Sequence, residues 1–132
     1  QHEVKTSQMT IFGDYRQLTL FPPTQLAATL EELVTNACRA MAEATVRNLS
    51  FRLEYTSDQV LLDVSDTGAG IGVNDSELLF SRQYSTKSQD GGFGLFHARQ
   101  RIERFGGKIR IFNNADGRGA TVRLTFKGIP RE

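Results

Sequence analysis

A two-layer α+β sandwich, with one mixed, mostly antiparallel sheet and helices on one face, is the fold class the sequence predicts. Three observations predict it: an apolar stripe at helical spacing over residues 26–41, two pairs of alternating segments (51–64 and 108–127) each broken by a turn, and a second helical stretch between those pairs. The chain has 132 residues, 39% of them hydrophobic, with Phe at nine positions, enough apolar side chain for a single core and one domain over residues 1–132.

The first strands are predicted at Ile11–Phe12 and Leu18–Leu20, broken at Gly13-Asp14 and closed by Pro22-Pro23. Thr24 is expected to cap the helix that follows, and Leu26, Leu30, Leu33, Ala37 and Met41 form its buried stripe, giving a helix of about twenty residues that ends near Ala44. Phe51, Leu53 and Tyr55 alternate with Arg52 and Glu54, and Val60, Leu62 and Val64 with Leu61 and Asp63, around a turn at Ser57-Asp58. A second helix is predicted from near Gly94 to Gly106-Gly107. A terminal hairpin pairs 108–113 with 120–127 across Asn114-Ala115-Asp116-Gly117-Arg118-Gly119.

Composition removes several function classes. Sixteen Lys and Arg against fifteen Asp and Glu leave a net charge of +1, so no global field draws the protein to nucleic acid or to an anionic membrane. No run approaches the roughly 18 apolar residues of a membrane span, and no secretory signal opens the chain. Cys38 cannot pair within the chain and reads as a small buried side chain; with the missing signal this predicts a cytoplasmic domain. His2, His97 and one Cys cannot build a usual zinc site, and His97 is expected to pack or cap on the second helix. The start at Gln1 rather than Met is expected of an excerpt from a longer protein.

Three constellations can carry chemistry. Glu32 and Asn36 lie four apart on the first helix and project together. An Asn carbonyl is a hard oxygen suited to Mg²⁺ and a neighbouring carboxylate can order metal-bound water or take a proton, while an ordinary solvated face accounts for the same spacing. Arg39, a turn further on, reads either as a phosphate contact or as a surface cation. Asp66-Thr67-Gly68-Ala69-Gly70 leaves a hydrophobic strand with glycines that let a ligand approach the main chain, and Asp66 can accept a hydrogen bond from an exocyclic amine; a strand-ending turn has the same composition. Asp90-Gly91-Gly92-Phe93-Gly94-Leu95 opens a helix, where N–H groups favour an anion, with Lys87 beside Ser85 and Thr86 just upstream; a flexible connector is the alternative. No Gly-Lys-Ser or Gly-Lys-Thr occurs, and the glycines do not follow the first strand of a βαβ unit, so Walker A and Rossmann sites are disfavoured.

In order, these segments resemble the boxes of the GHKL superfamily, whose members share the Bergerat ATP-binding fold. Glu32-Leu33-Val34-Thr35-Asn36-Ala37 is similar to the N box, Asp66-Thr67-Gly68-Ala69-Gly70-Ile71 to the G1 box, and Asp90 to Leu95 to the G2 box. Leu79-Phe80-Ser81-Arg82-Gln83-Tyr84-Ser85-Thr86-Lys87 resembles the F box and ATP lid of sensor histidine kinases, and Phe105-Gly106-Gly107 and Gly119-Ala120-Thr121-Val122 extend the likeness almost to the end.

The resemblance implies ATP and Mg²⁺ as cofactors, with Asn36 holding the metal, Glu32 as base or organiser of metal-bound water, and Arg39 near phosphate. It implies Asp66 on the adenine amino group with Thr121 assisting through water, Gly68, Gly70 and Ile71 shaping the base pocket, and Leu95 below the nucleotide. Thr86, Lys87, Gly92 and Gly94 would serve the phosphates, with Lys87 at the terminal one, and Phe80 would anchor the lid in the core. Two features depart from the family pattern: Asp90 replaces the usual first Gly of the G2 box and is expected to face solvent, and the lid between Tyr84 and Gly92 is short.

The implied activity is transfer of the γ-phosphoryl group to a His on a separate helical dimerisation domain and, indirectly, to a response regulator. A serine kinase of the anti-sigma-factor type and a non-catalytic docking module are the alternatives.

Overall fold

The computed structural model describes residue 19 and residues 21–56, 58–71, 79–80 and 95–129. The strands expected at Ile11–Phe12 and Leu18–Leu20 fall almost wholly outside these residues. Helix α1 spans Pro23–Ala40, followed by β1 (Leu49–Tyr55), β2 (Gln59–Asp66), α2 (Phe96–Arg104), β3 (Lys108–Asn113) and β4 (Ala120–Lys127). The four strands form one sheet in the order β1-β2-β4-β3, each neighbouring pair antiparallel. The α+β class is therefore the one expected, and the described part of the sheet is wholly antiparallel.

The stripe that defines α1 is its buried face: Leu26, Leu30, Leu33, Ala37 and Met41 all lie in the core. Full burial of a Leu is worth about 1.5–3 kcal/mol, so this stripe dominates how the helix docks. Both helix ends differ from expectation. Pro22 occupies the N-cap with extended backbone, Pro23 is the first helical residue, and Thr24 lies inside the helix and caps nothing. The ring of Pro23 presets the helical φ where an N–H has no partner to lose, so the Pro pair starts the helix without a side-chain cap. At the other end the helix stops at Ala40 rather than near Ala44, and Met41 turns its N–H back to Ala37 O at 3.0 Å.

Alternation along the strands sets the two faces of the sheet. Val60, Leu62 and Val64 stand opposite Phe126, Leu124 and Val122, and Ile109 and Ile111 continue those rows on β3. These residues form the inner face beneath α1 and α2, which pack on β2, on β3 and on each other. The outer face is polar, with Arg123 forking onto Asp63 at 2.8 and 2.9 Å and stacking over Phe112. At its end β2 places Leu49 and Asp66 opposite each other on the inner face, so the last residue of the strand looks into the helix layer rather than into water. No helix among the described residues is long and apolar enough to cross a membrane.

Candidate functional site

Where the C-terminal half of α1 passes over the ends of β2 and β4, a cavity of about 320 Å³ opens between the layers. Leu33, Asn36, Ala37 and Ala40 supply one wall, positions spaced so that they share one helix face. Val64, Val122 and Ile111 form the opposite wall, and Leu79 and Leu95 line the cavity further. Apolar walls on two sides suit a flat ring, and Asn36 and Asp66 are the polar side chains among these residues.

Asp66 sits at the strand exit with Ala120, Gly70 and Ile71 also lining the cavity. Its Oδ1 accepts N–H groups from Gly68 at 2.8 Å and Ala120 at 3.3 Å. Its Oδ2 takes no hydrogen bond from the described residues, which leaves one carboxylate oxygen for a donor that enters the cavity. Partial burial pushes the carboxyl above its ordinary value, and the N–H bonds from Gly68 and Ala120 pull it back in part.

The glycines that follow have distinct reasons. A Cβ on Gly68 would stand 2.5 Å from the carbonyl oxygen of Ala40, because the loop is pressed onto the end of α1 and Ala69 donates its N–H to that same oxygen at 3.2 Å. Gly70 adopts φ +82°, a left-handed conformation that favours glycine. Thr67 fastens the loop from behind, donating to Val46 O at 2.7 Å and accepting from Asn48 N–H at 2.9 Å.

Asn36 carries a buried Nδ2 without a hydrogen-bond partner among the described residues. A buried N–H donor costs free energy unless something accepts from it, so its place in the cavity wall marks a position for an acceptor atom of a ligand. The hard oxygen of the same side chain is of the type Mg²⁺ takes.

The structure brings Asn36, Asp66, Gly70, Ile71 and Leu95 together around this cavity, with Gly68 supporting the loop from below. It does not bring Glu32 there: the carboxylate is ion-paired with Arg101 of α2 at 3.1 Å. Nor does it bring Arg39, which lies half-buried near the end of α1 outside the lining. Thr121 is turned away as well, because strand alternation puts Ala120 on the cavity face and Thr121 on the other. Its hydroxyl is shared between Ser65 Oγ at 2.7 Å and Asn114 Oδ1. Thr86, Lys87, Asp90, Gly92 and Gly94 lie outside the described residues.

Phe80 is buried in the core with the Arg99 guanidinium 5.1 Å from its ring centroid, and the amide of Leu95 donates to Leu79 O at 3.0 Å. Cys38 is half-buried, and His97 is exposed with its ring edge-on to Phe96. Ala120, Val122 and Ile111 escaped the sequence reading of the site; the period-two pattern of β3 and β4 holds their position, but no polar atom draws attention to them.

A wider groove of about 570 Å³ lies elsewhere, between Phe21, Phe105 and Phe126. Its hydroxyl from Thr19 is already committed to Lys127 O at 2.7 Å, and no carboxylate among the described residues lines it, so the smaller cavity with converging polar groups is the better candidate.

Comparison with known proteins identifies the family to which this fold belongs. Residues 22–129 match the family described as histidine kinase-, DNA gyrase B-, and HSP90-like ATPase. The sensor protein CitS of Bacillus subtilis (strain 168) is 32% identical over 107 residues, which are 81% of this chain and 19% of CitS. The sensor protein FixL of Bradyrhizobium diazoefficiens is 36% identical over 110 residues, 83% of this chain and 22% of FixL. The chain thus spans about a fifth of the length of these relatives. Among solved structures, the nucleotide-free catalytic domain of the histidine kinase ThkA superposes with a TM-score of 0.69 at 29% identity, covering 82% of this chain and 69% of that one. The chain belongs to the family of histidine kinase-, DNA gyrase B- and HSP90-like ATPases, and within it has the fold of a sensor histidine kinase catalytic domain.

Proposed function

We propose that this domain binds Mg²⁺·ATP and transfers the γ-phosphoryl group to a His on a separate helical dimerisation domain, from which a response regulator is charged. The observation that carries the reading is Asp66: a half-buried carboxylate at the end of a core strand, one oxygen held by two main-chain N–H groups and the other without a described partner, among apolar walls. That arrangement suits the amino group of adenine, which donates where guanine presents an acceptor. Val64, Val122, Ile111 and Leu33 exclude water from the ring faces.

Asn36 fits Mg²⁺ through the chemistry of its amide oxygen, while its buried N–H donor would meet an acceptor on the nucleotide. When bound, the metal neutralises charge on the phosphates and leaves positioning as the protein's main contribution. Thr86, Lys87, Gly92 and Gly94 are assigned to the phosphate end from the sequence resemblance, with Lys87 nearest the transferred group, and Arg39 to the same end. Glu32 is assigned to fastening α1 to α2 rather than to proton transfer, since Arg101 holds its carboxylate.

The test is calorimetric titration with ADP and a nonhydrolysable ATP analogue, with and without Mg²⁺, on the wild type and Asn36→Ala. Saturable binding whose Mg²⁺ dependence disappears in the variant is expected. No binding by the folded wild type at millimolar nucleotide overturns the reading. Incubation with ATP and a His-bearing helical domain should then give an acid-labile phosphoprotein; an acid-stable one would assign serine as the acceptor.

A further inference from the structure

The turn between β3 and β4 opens with two consecutive asparagines, and the composition of a tight turn is a sufficient reason for neither. We propose that Asn113 and Asn114 are positioning residues for recognition of the nucleotide base, clamping the Asp66–Ile71 loop from its two ends; this rests on the reading of the cavity as an adenine site.

Asn114 uses every part of its amide. Nδ2 donates to the main-chain oxygen of Asp66 at 2.9 Å and to Arg118 O at 2.7 Å, while Oδ1 accepts the Thr121 hydroxyl. With two donors and an acceptor all engaged, only an amide satisfies the position: a carboxylate would set oxygen against two carbonyl oxygens. Asn113, on the inner face opposite Ala120, accepts the N–H of Ile71 on its Oδ1 at 2.7 Å. The same oxygen would lie 2.9 Å from a Cβ on Gly70, so the glycine serves clearance as well as conformation. One asparagine therefore holds the main chain of the residue that reads the base, and the other holds the main chain five residues on.

Neither side chain lines the cavity, and among the described residues the Thr121 hydroxyl meets Asn114 and Ser65 rather than the cavity. The clamp touches the base end alone, so its loss should change which base is preferred and leave the phosphate contacts intact. A merely structural role would lower affinity for every nucleotide alike.

The experiment is calorimetric titration of the chain with ADP and with GDP, for the wild type, Asn114→Asp, Asn113→Ala and Asn113→Asp, with thermal melts to show that each is folded. Asn114→Asp keeps the shape and reverses a donor; Asn113→Ala removes an acceptor that Asn113→Asp restores. Loss of one such hydrogen bond should weaken ADP about tenfold in Asn114→Asp and Asn113→Ala, with GDP little changed, and Asn113→Asp should recover most of the affinity. Equal losses for ADP and GDP, or no loss in folded variants, overturn the proposal. If Asn114→Asp does not fold, the exposed Asn113 pair carries the test by itself. A wild type that binds without preferring ADP refutes the adenine reading, and the clamp with it.

Discussion

Replacing Asp66 by Asn exchanges one oxygen for an NH₂ and leaves the shape of the side chain unchanged, so its consequences can be worked out atom by atom. The N–H bonds from Gly68 and Ala120 both end on Oδ1, and an amide oxygen can accept them in the same place. The NH₂ then takes the place of Oδ2, and a donor meets the donor of the adenine amine. What is lost is one hydrogen bond to a charged acceptor, about 1.5–3 kcal/mol, which is about ten- to a hundred-fold in Kd. Stability should move the other way. Burial raises the Asp66 carboxyl in the folded state, so the group's contribution to stability is present below the ordinary value of 3.8 and lost as pH rises through the raised one. Above the raised value the folded protein therefore carries a partly desolvated charge, and a neutral amide removes that cost. Titration calorimetry with ADP and thermal denaturation at pH 7 should show weaker binding with a Tm level or raised. A fall in Tm that parallels the loss of affinity would refute the reasoning, because it would make Asp66 a structural residue whose carboxylate the fold needs.

Acidification should weaken ADP binding with a midpoint above 3.8, because the ionised carboxylate is the form that accepts the amine; Asp66→Asn should remove that step from the titration profile. Gly117→Ala and Gly119→Ala separate strain from crowding: both glycines have positive φ, +84° and +75°, but a Cβ at 117 meets nothing within 4 Å while one at 119 would stand 2.0 Å from the Asp66 carbonyl oxygen. The first should cost about 1–2 kcal/mol in urea denaturation and keep ADP binding, and the second should cost more and abolish it by moving Asp66. Glu32→Ala breaks a partly exposed ion pair with Arg101, so a loss of about 0.5–1 kcal/mol in thermal denaturation is expected with ADP affinity within about twofold of wild type. A large drop in affinity would instead give Glu32 a place at the nucleotide.

Local pattern carried most of this fold. The stripe of α1, the two hairpins and the position of α2 follow from apolar periodicity and turn residues, and β3 and β4 end where alternation ends. Asp66 was legible for the same reason, being the polar residue that closes an apolar run ahead of glycines. What stayed hidden depends on pairs distant in sequence. Glu32 and Arg101 are 69 positions apart, so nothing in the helical spacing of Glu32 and Asn36 shows that one side chain is already occupied. Thr121 was chosen for its hydroxyl, but the pleat turns Ala120 inward, and an alanine offers no chemical signal. The start of α1 misled because a Thr beside two prolines resembles a cap, whereas the proline ring sets the first turn without one.

The seat of the Asp66–Ile71 loop on the end of α1 has a bearing on how such a domain can change. Asn36 and Ala40 lie on the same cavity-lining face of one helix, and Ala40 O receives the amide of Ala69. The side chain proposed to meet the metal and the carbonyl that supports the loop are thus graduations on a single ruler, about 6 Å apart at 1.5 Å per residue. Adding or removing one residue between them would swing one mark about 100° away from the other, so this interval can tolerate substitution but not a change of length.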